Sequence, residues 1–450
     1  MCDAAGMLAL VLALTLAPGP AALAGGPATL RFDSQLELNV FVVEGDEVRK
    51  LGATPTEEGR GLWIPNGATW FVEPAGAAGA LAWVEAICEV EEKKIPGVRL
   101  CRGGTPENAP ADNRPIHEGI LDAVTQLKAV RWLDLSACSV ADEQLTGLAR
   151  MGGLETLLLS GGGISDSGLQ SLSKLSGLKR LSLNSTRVTD QGLVHLAGLR
   201  KLDSLRLTGG RLSGEALASL AAMPALTELD ISRNAGFSEE TLAHLSGLKR
   251  LSSLGLGGLG LTASGLEQVA RLKGLKRLDL SGVDLSGSGL AFLKPLSKLE
   301  RLNLAETRVT DDQVATLAGF GGLVELHLDG TPTTDVSADA IRRLGKLQIL
   351  SLARTSLTDA GFMRLDTLKK ISRLDLSGLP ITDGAFVVVS GMKDLERIRL
   401  SGCTGLTDAI VPLLAKLPKL EFADLTGSGT TEDESDNLKY RFSHPVEVVR

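Results

Sequence analysis

Residues able to form ion pairs recur at two fixed places in a short motif, L-x-x-L-x-L, that repeats through residues 130–425. One place is the residue before the second Leu, and the other lies between the second and third Leu. The candidates for partner contacts at these places are Arg180, Arg206, Glu228, Asp230, Arg277, Asp279, Arg301, Asn303, Glu325, His327, Arg373, Asp375, Arg397 and Arg399. Such rows can recognise a partner of complementary charge, because Arg is enriched among the residues that dominate binding energy. The opposing interpretation is a solvated face, on which alternating signs only keep like charges apart.

The other reactive residues form no recognisable catalytic set. His195 and His244 occupy like positions two repeats apart, and the repeat places no Ser or Cys beside either of them. An Asp follows Thr or Ser in many of the repeats, as Asp190 follows Thr189. This Asp is typical of a helix start rather than of paired catalytic carboxylates. No C-x-x-C or Cys/His spacing indicates zinc. The sequence therefore predicts neither a catalytic site nor a bound metal or cofactor.

A glycine run at residues 255–260 matches G-x-G-x-x-G. A dinucleotide site needs this motif between a strand and a helix, with room for a pyrophosphate. Here Leu254 and Leu256 keep the register of the repeat. We therefore interpret the run as the glycine-rich strand and turn of one repeat.

The Leu residues recur every 24 residues, a step that lengthens to 25 at two points. Alternation around Leu229 and Ile231 predicts a strand in each copy, because side chains in a strand point alternately to its two faces. A Thr or Ser followed by Asp then indicates a helix start. Leu residues at three-residue spacing, such as Leu193 and Leu196, predict a short helical segment. One copy cannot bury its own Leu face, so stacked copies must share a core.

The thirteen copies resemble leucine-rich repeats, whose pattern is L-x-x-L-x-L-x-x-N/C-x-L. Their T-D-x-G-L version is similar to bacterial repeats of the GALA and cysteine-containing type. The resemblance implies an α/β leucine-rich-repeat solenoid, with a curved parallel sheet inside and short helices outside. It also implies that the charged residues named above share one side of the sheet, here called the inner face, on which such repeats generally bind proteins.

The turn position that is usually Asn or Cys departs from this family pattern. It is Cys138, Asn234 or Cys403 in some repeats and Thr186 or Thr307 in others. Because these side chains differ in their hydrogen-bonding groups, we expect the hydrogen bonds of the turn to vary along the array.

The sequence divides into five segments. They are a signal peptide at 1–24, a small β-rich module at 25–80, an N-terminal cap with a degenerate repeat at 81–129, about 13 repeats at 130–427, and a polar linker and C-terminal tail at 428–450. The repeats end abruptly, and the acidic composition that follows them is typical of a linker. The last residues of the chain either fold back as a cap strand or stay loose.

The first 24 residues indicate export. Residues 7–17 are apolar but too few to span a bilayer, and Ala22-Leu23-Ala24 fits the cleavage rule for signal peptides, although the segment before them has no Lys or Arg. No later segment has the length and apolar character of a membrane span. The expected location is secreted or periplasmic, in the cell envelope. An oxidising compartment would allow Cys88 and Cys101 to pair near the start of the repeats, whereas Cys138 and Cys403 are expected to be small buried side chains.

Charge and composition narrow the function. The net charge of −7, with basic and acidic residues interspersed, gives no basis for binding nucleic acid, which requires a concentrated basic surface. The preferred hypothesis is a non-catalytic, monomeric scaffold exported from a bacterial cell that binds a protein partner on its inner face. The alternative is the substrate-recognition arm of an F-box-like ubiquitin ligase adaptor, although no F-box-like segment precedes the repeats. An enzyme with its catalytic part in residues 25–126 ranks last, because we find no nucleophile, base and acid set there.

Overall fold

The computed structural model describes most of the chain after residue 29. The described residues are 30–32, 34, 36, 38–44, 47–56, 61–65, 68–74, 86–87, 89–100, 114–115, 118–136, 138–161, 163–286, 289–442 and 446–449. The chain forms two compact units, Met1–Arg211 and Leu212–Arg450. None of the helices in the described part has the length and apolar character to cross a membrane.

The first unit begins with a small antiparallel sheet. Strand Leu38–Glu44 pairs antiparallel with Glu47–Thr54 on one side and with Thr69–Pro74 on the other. A second pair joins Leu30–Phe32 to Leu62–Ile64. Val40, Val42 and Val72 are buried, as the alternating pattern requires. The expected β-rich start of the chain is therefore confirmed.

This sheet continues into the repeats without a break. Thr69–Pro74 pairs in parallel with Gly97–Arg99, which pairs in parallel with the first repeat strand, Trp132–Leu135. Leu133 and Leu135 on that strand are completely buried. The N-terminal strands thus cover the edge of the first repeat, which would otherwise leave a row of unpaired backbone groups.

A buried arginine fixes this junction. Arg99 Nε lies 2.7 Å from Asp134 Oδ2, and Arg99 Nη1 lies 3.5 Å from Glu73 Oε2. The guanidinium also lies 4.6 Å from the ring centre of Phe71, which stacks on Trp132 with their centres 4.1 Å apart. The ion pair and the aromatic stack link the antiparallel sheet to the first repeat.

The repeats of the first unit form a parallel sheet backed by short helices. The strands are Trp132–Leu135, Thr156–Ser160, Arg180–Asn184 and Ser204–Arg206. The helices are Glu118–Thr125, Asp142–Leu148, Asp166–Leu172 and Asp190–Leu193, with a 3-10 segment at Val194–Gly198. A short pair, Arg114–Pro115 with Cys138–Ser139, lies beside them.

The second unit repeats the same architecture. Its strands are Glu228–Asp230, Ser253–Gly255, Arg277–Asp279, Arg301–Asn303, Glu325–His327, Ile349–Ser351, Arg373–Asp375, Arg397–Arg399, Phe422–Asp424 and Glu447–Val449. The α-helices are Ala216–Leu220, Leu266–Val269, Asp311–Ala315, Ala338–Ile341, Asp359–Met363, Asp383–Phe386, Val411–Leu414 and Glu432–Lys439. The 3-10 helices are Thr241–Gly247, Ala263–Gly265, Gly289–Leu293, Thr316–Gly319, Asp335–Ser337, Arg364–Thr367, Val387–Gly391 and Asp408–Ile410. These short helices gain their stability from packing, since isolated helices of this length are unstable.

Most strands of the repeats bury one side and leave the other half-buried or exposed. Leu278, for example, is 2% exposed, whereas Arg277 and Asp279 on either side of it are half-buried. The same alternation is seen at Leu326 and Leu374. The α/β solenoid with a parallel sheet and short helices is therefore confirmed.

The recurrent Asp joins consecutive repeats. Asp166 accepts hydrogen bonds from the backbone amide and the hydroxyl of Thr189, at 2.8 and 2.7 Å. Asp359 accepts the same pair from Thr382 in the next repeat, at 2.7 and 2.6 Å. Thr189 in turn caps its own helix by accepting from Gln191 N. The Asp is a helix-start residue, as expected, and its carboxylate also fixes the start of the following helix.

A left-handed residue follows each strand from Thr156–Ser160 to Phe422–Asp424. This position is Gly in several repeats, such as Gly282 and Gly402, with φ of 67° and 73°. Non-glycine residues take the same conformation at Ser185 and Glu306, both with φ of 57°. The turn therefore imposes a local backbone cost wherever glycine is absent.

The hydrogen bonds of the turn vary, as the sequence predicted. The hydroxyl of Thr186 donates to Leu183 O at 2.9 Å, and Asn234 Nδ2 donates to Ile231 O at 2.8 Å. Asn234 Oδ1 also accepts from Leu212 N, a second bond that a threonine at this place does not supply. The thiol of Cys403 instead reaches Leu376 O, in the preceding repeat.

The C-terminal segment differs from the expected linker. Residues Glu432–Lys439 form an α-helix, and Glu447–Val449 adds a parallel strand to Phe422–Asp424. Thr431 accepts from Glu434 N at the start of the helix, and Glu432, Asp433 and Glu434 occupy its first turn. The acidic run therefore favours a helix start through the helix dipole, rather than a linker.

The cysteines also differ from expectation. Cys138 is disulfide-bonded, whereas it was expected to be only a small buried side chain. Cys403 is free and buried, as expected. Cys88 and Cys101, the predicted pair, both lie outside the described residues.

Candidate functional site

Strand pairing aligns the charged residues of the second unit into two rows on the inner face. One row, in the order of the strands, is Glu228, Ser253, Arg277, Arg301, Glu325, Ile349, Arg373, Arg397 and Phe422. The other is Asp230, Gly255, Asp279, Asn303, His327, Ser351, Asp375, Arg399 and Asp424. Each member is a direct register partner of the next. The spacing of the sequence thus brings these candidates together as predicted.

Two further candidates lie in the first unit. Arg180 is exposed and pairs in register with Ser204, while Arg206 is half-buried and pairs with Ser182. Both project from the same side of their sheet, because the intervening Leu181 and Leu205 are buried. These arginines have mostly small polar register partners, unlike the arginines of the second unit.

Several inner-face carboxylates also have a structural role in the turns. Asp230 Oδ1 accepts from the backbone amide and the hydroxyl of Ser232, at 3.0 and 2.6 Å. Asp375 Oδ1 accepts from Ser377 in the same way, at 2.9 and 2.6 Å. Asp279 accepts from Ser281 N at 2.8 Å, and burial raises the pKa of its carboxyl, assisted by the charge of Asp230. One oxygen of each carboxylate is therefore engaged by its own turn.

A continuous charged network crosses the Glu325–His327 strand. Arg301 Nε lies 3.4 Å from Glu325 Oε2, and Glu325 Oε1 lies 2.8 Å from His327 Nε2. His327 Nδ1 lies 3.7 Å from Asp329 Oδ2. Asp329 also accepts from the hydroxyl of Ser351 in the next repeat. The histidine ring is thus held between two carboxylates.

This position keeps His327 protonated. Burial lowers the pKa of His327, but the carboxylates of Asp329 and Glu325 on the two sides of the ring outweigh this effect and raise the pKa to about 9. Burial raises the pKa of Glu325, but its hydrogen bond to His327 and the charges of His327, Arg301 and Arg373 outweigh it, so the pKa is lowered. At neutral pH the group therefore consists of a cation between two anions.

Glu325 and His327 are among the site residues predicted from the sequence, whereas Asp329 is not. A signal was present, because Asp329 stands where neighbouring repeats have Ser281, Ala305 and Ser377. An acidic residue at this otherwise small position, two residues after a histidine, indicates a charge pair between the turn and the inner face.

A cavity of about 300 Å³ opens on the inner face over the strand Ile349–Ser351. The preceding repeat lines it with Glu325, His327 and Asp329. The following repeat contributes Arg373 and Asp375, and the repeat after that contributes Arg397 and Arg399. Ile349 and Ser351 are shorter than the residues on either side in the two rows. The cavity therefore arises where short side chains interrupt rows of long ones.

The arginine side of the cavity rests on an aromatic ring. The guanidinium of Arg397 lies 4.2 Å from the ring centre of Phe422, its register partner. Arg399 Nη1 lies 3.7 Å from Asp375 Oδ2. Arg373 and Arg397 are direct register partners on adjacent strands. Two like charges are thus placed side by side, an arrangement that costs stability.

The alternative chemical sites find no support in the geometry. The glycine run ends the strand Ser253–Gly255 with Leu254 and Leu256 buried, and Gly258 has the φ of 64° found in the repeat turn. A Cβ on Gly255 would collide with the carboxylate of Asp230. In the described part of the chain, no group of three or more His, Cys, Asp or Glu residues is arranged to hold a metal ion.

Comparison with known proteins identifies the fold. No protein-family model matches the chain, and no curated protein matches it in sequence. A chain of the yeast complex of Rad7 and Elc1 has a similar structure, with a TM-score of 0.53 and 20% identity, covering 74% of this chain and 88% of that one.

Two bacterial structures are also similar in part. An internalin from Listeria monocytogenes has a TM-score of 0.47 at 19% identity and covers 73% of this chain and 92% of its own. A leucine-rich-repeat protein of Leptospira interrogans has a TM-score of 0.43 at 18% identity, with coverage of 77% and 97%. At such identities a likeness shows the fold alone. The repeat register of the parallel strands, with the likeness to the yeast structure, shows that this chain has the leucine-rich-repeat fold expected from the sequence.

Proposed function

We propose that this chain is a non-catalytic scaffold that binds a protein partner on its inner face. The observation that carries the proposal is the side-by-side placement of Arg277 with Arg301 and of Arg373 with Arg397. A sheet selected for stability alone would avoid like charges on direct register partners, because such pairs are destabilising. A bound partner with complementary charge would offset this cost, as at other interfaces rich in arginine.

The proposal extends to location and origin. The apolar run and the A-x-A pattern within residues 1–24 support export, and the disulfide at Cys138 is consistent with an oxidising compartment. The T-D-x-G-L form of the repeat supports a bacterial protein of the GALA or cysteine-containing type. We propose a secreted, periplasmic or cell-envelope protein. A mature N-terminus at Gly25, found by mass spectrometry, is the expected result, and an intact Met1 in the native cell would contradict it.

An intracellular adaptor of the F-box-like kind is the second candidate. Its structural support is the similarity to a chain of the Rad7 and Elc1 complex, which shows the fold alone at 20% identity. The same mass-spectrometric measurement separates the two, because an adaptor of this kind would retain its N-terminal residues.

Site-specific cross-linking tests the binding surface. A photoreactive amino acid placed at Asn303 or Arg399 on the inner face should cross-link to a partner in native cells. The matched control positions are Val336 and Lys346, which are exposed and lie outside the strands. A partner captured equally from both sets of positions, or only from the control set, would contradict the proposed inner-face site.

A further inference from the structure

The cavity over Ile349–Ser351 differs in charge between its two sides. On one side the carboxylates of Glu325 and Asp329 enclose His327, and Arg301 and Ser351 supply further contacts to them. These groups satisfy one another. A ligand would therefore gain little by replacing them, since the cost of separating buried partners is large.

On the other side, a positive charge is left without a carboxylate. Among the described residues, no acidic group lies within ion-pair distance of the Arg397 guanidinium, whose contact is the ring of Phe422 at 4.2 Å. Arg399 has Asp375 at 3.7 Å, and Arg373 lies beside Arg397 in register. His327 and three arginines face only three carboxylates around this cavity. The excess is positive, and Arg397 is the group with no anionic neighbour.

The arginine is also held in place before any ligand arrives. Stacking on Phe422 restricts the guanidinium plane, so less rotamer freedom is lost when a ligand binds. A planar guanidinium can donate two parallel hydrogen bonds to a carboxylate. The Arg373–Arg397 pair is therefore suited to hold one oxyanion on the rim of the cavity.

The cavity floor favours a peptide rather than a free anion. Ile349 is the aliphatic member of its row between Glu325 and Arg373, and it is half-buried in the cavity. A volume of about 300 Å³ lies at the lower end of the range for ligand pockets, and this space suits one or two side chains. An occupant with an acidic group next to an apolar surface would match both features.

We propose that this cavity receives a Glu or Asp side chain of a partner segment, with the carboxylate bound by Arg373 and Arg397 and a neighbouring apolar side chain against Ile349. The inference rests on the proposed protein-binding function and names the chemistry of its partner. It concerns these residues alone, so it can fail while binding elsewhere on the inner face remains true.

The experiment selects ligands from a displayed library of random heptapeptides with the purified full-length protein. Selected peptides are expected to be enriched in Glu or Asp next to an apolar residue. Synthesised peptides are then compared with versions in which the acid is replaced by its amide. The amide should bind about tenfold to a hundredfold more weakly, which is the range for charge-assisted hydrogen bonds.

Protein variants assign the acidic preference to the cavity. The double variant Arg373→Gln/Arg397→Gln should bind the acid and the amide peptide equally. The matched control Arg271→Gln/Arg343→Gln, with the same change of charge at exposed residues outside the strands, should keep the preference. Arg397→Lys keeps the charge but loses the planar pair of donors, so it should give an intermediate ratio. It also supplies a second test if the double variant has a lowered melting temperature.

Several results would overturn the proposal. The selection could yield no peptides, or peptides without acidic residues. The preference for the acid could also persist in the Arg373→Gln/Arg397→Gln variant. Displacement of the peptide by inorganic phosphate at comparable affinity would indicate a general oxyanion site instead. In each case the cross-linking experiment still decides separately whether the inner face binds a protein.

Discussion

His327 Nε2 lies 2.8 Å from Glu325 Oε1 on the same strand, and the opposite ring nitrogen faces Asp329 at 3.7 Å. Both carboxylates favour the charged imidazolium, and the pKa of His327 is raised to about 9. The contact between His327 and Asp329 connects the charged surface of the inner face to a turn of the same repeat. It therefore links the proposed binding surface to the stability of the array.

Alkaline pH should remove this contribution to stability. The folded pKa of His327 is raised above its ordinary value of 6.5, so the stabilisation is complete below about pH 6.5 and is lost as pH rises through about 9. The amount is roughly 3 kcal/mol, from 1.36 kcal/mol per pKa unit. Urea unfolding of the wild type and of His327→Gln between pH 6 and 10 measures it. The difference between the two should shrink as pH rises, and a constant difference would show that the ring is not held as a cation.

The contacts between repeats predict a contrast between two neighbouring aspartates. Asp311 accepts from Thr334 N and Oγ1, at 2.8 and 2.6 Å, while the adjacent Asp312 is exposed on the first turn of the same helix. Asp311→Ala should lower the free energy of unfolding by about 1–3 kcal/mol, because a hydrogen-bonded charged group is lost. Asp312→Ala should change it by less than about 0.5 kcal/mol. Chemical unfolding measures both variants. An equal loss of unfolding free energy in the two would mean that Asp311 acts only through the helix dipole, as Asp312 does.

The left-handed turn predicts an asymmetry between two glycines. Gly282 has a φ of 67°, and its added Cβ would meet nothing closer than 3.8 Å, so Gly282→Ala tests backbone conformation alone. We expect a loss of roughly 1 kcal/mol in the free energy of unfolding. Gly345→Ala is the control, because Gly345 has open space and no left-handed φ. A loss in the control as large as that in Gly282→Ala would refute the explanation.

The buried junction should be far more sensitive than an exposed ion pair. Arg99→Ala leaves Asp134 and Glu73 in a buried place without their guanidinium, and should cost about 3–5 kcal/mol. Arg49→Ala removes the exposed pair with Glu44, whose N–O distance of 2.7 Å is the same as that of Arg99 and Asp134, and should cost less than about 1 kcal/mol. Similar melting temperatures for the two variants would show that the junction does not depend on the buried charge.

The sequence predicts the repeat architecture well because the period determines the register. Once Leu278 and Leu302 occupy the same slot 24 residues apart, their neighbours Arg277 and Arg301 must align on the opposite side of the sheet. The inner-face rows could therefore be identified without coordinates. The cavity could not, because it depends on the relative lengths of side chains on adjacent strands.

Other features depend on contacts between repeats that periodicity does not report. The sequence placed Asp166 at a helix start but did not show that its carboxylate binds Thr189 of the next repeat. It also did not show that Asp329 supports His327. The acidic segment after the repeats has the composition of a linker, but Thr431 caps it and it forms a helix.

The most direct test of the central claim is the affinity of the cross-linked partner for a charge-reversed inner face. The variant Arg277→Glu/Arg301→Glu/Arg373→Glu/Arg397→Glu should bind at least a hundredfold more weakly than the wild type while keeping its circular dichroism spectrum. The matched control, Lys249→Glu/Lys273→Glu/Lys298→Glu/Lys346→Glu, makes the same change of charge at exposed residues outside the strands and should bind within about threefold of the wild type. Unchanged binding by the arginine variant, or an equal loss in both variants, would contradict the inner face as the binding site.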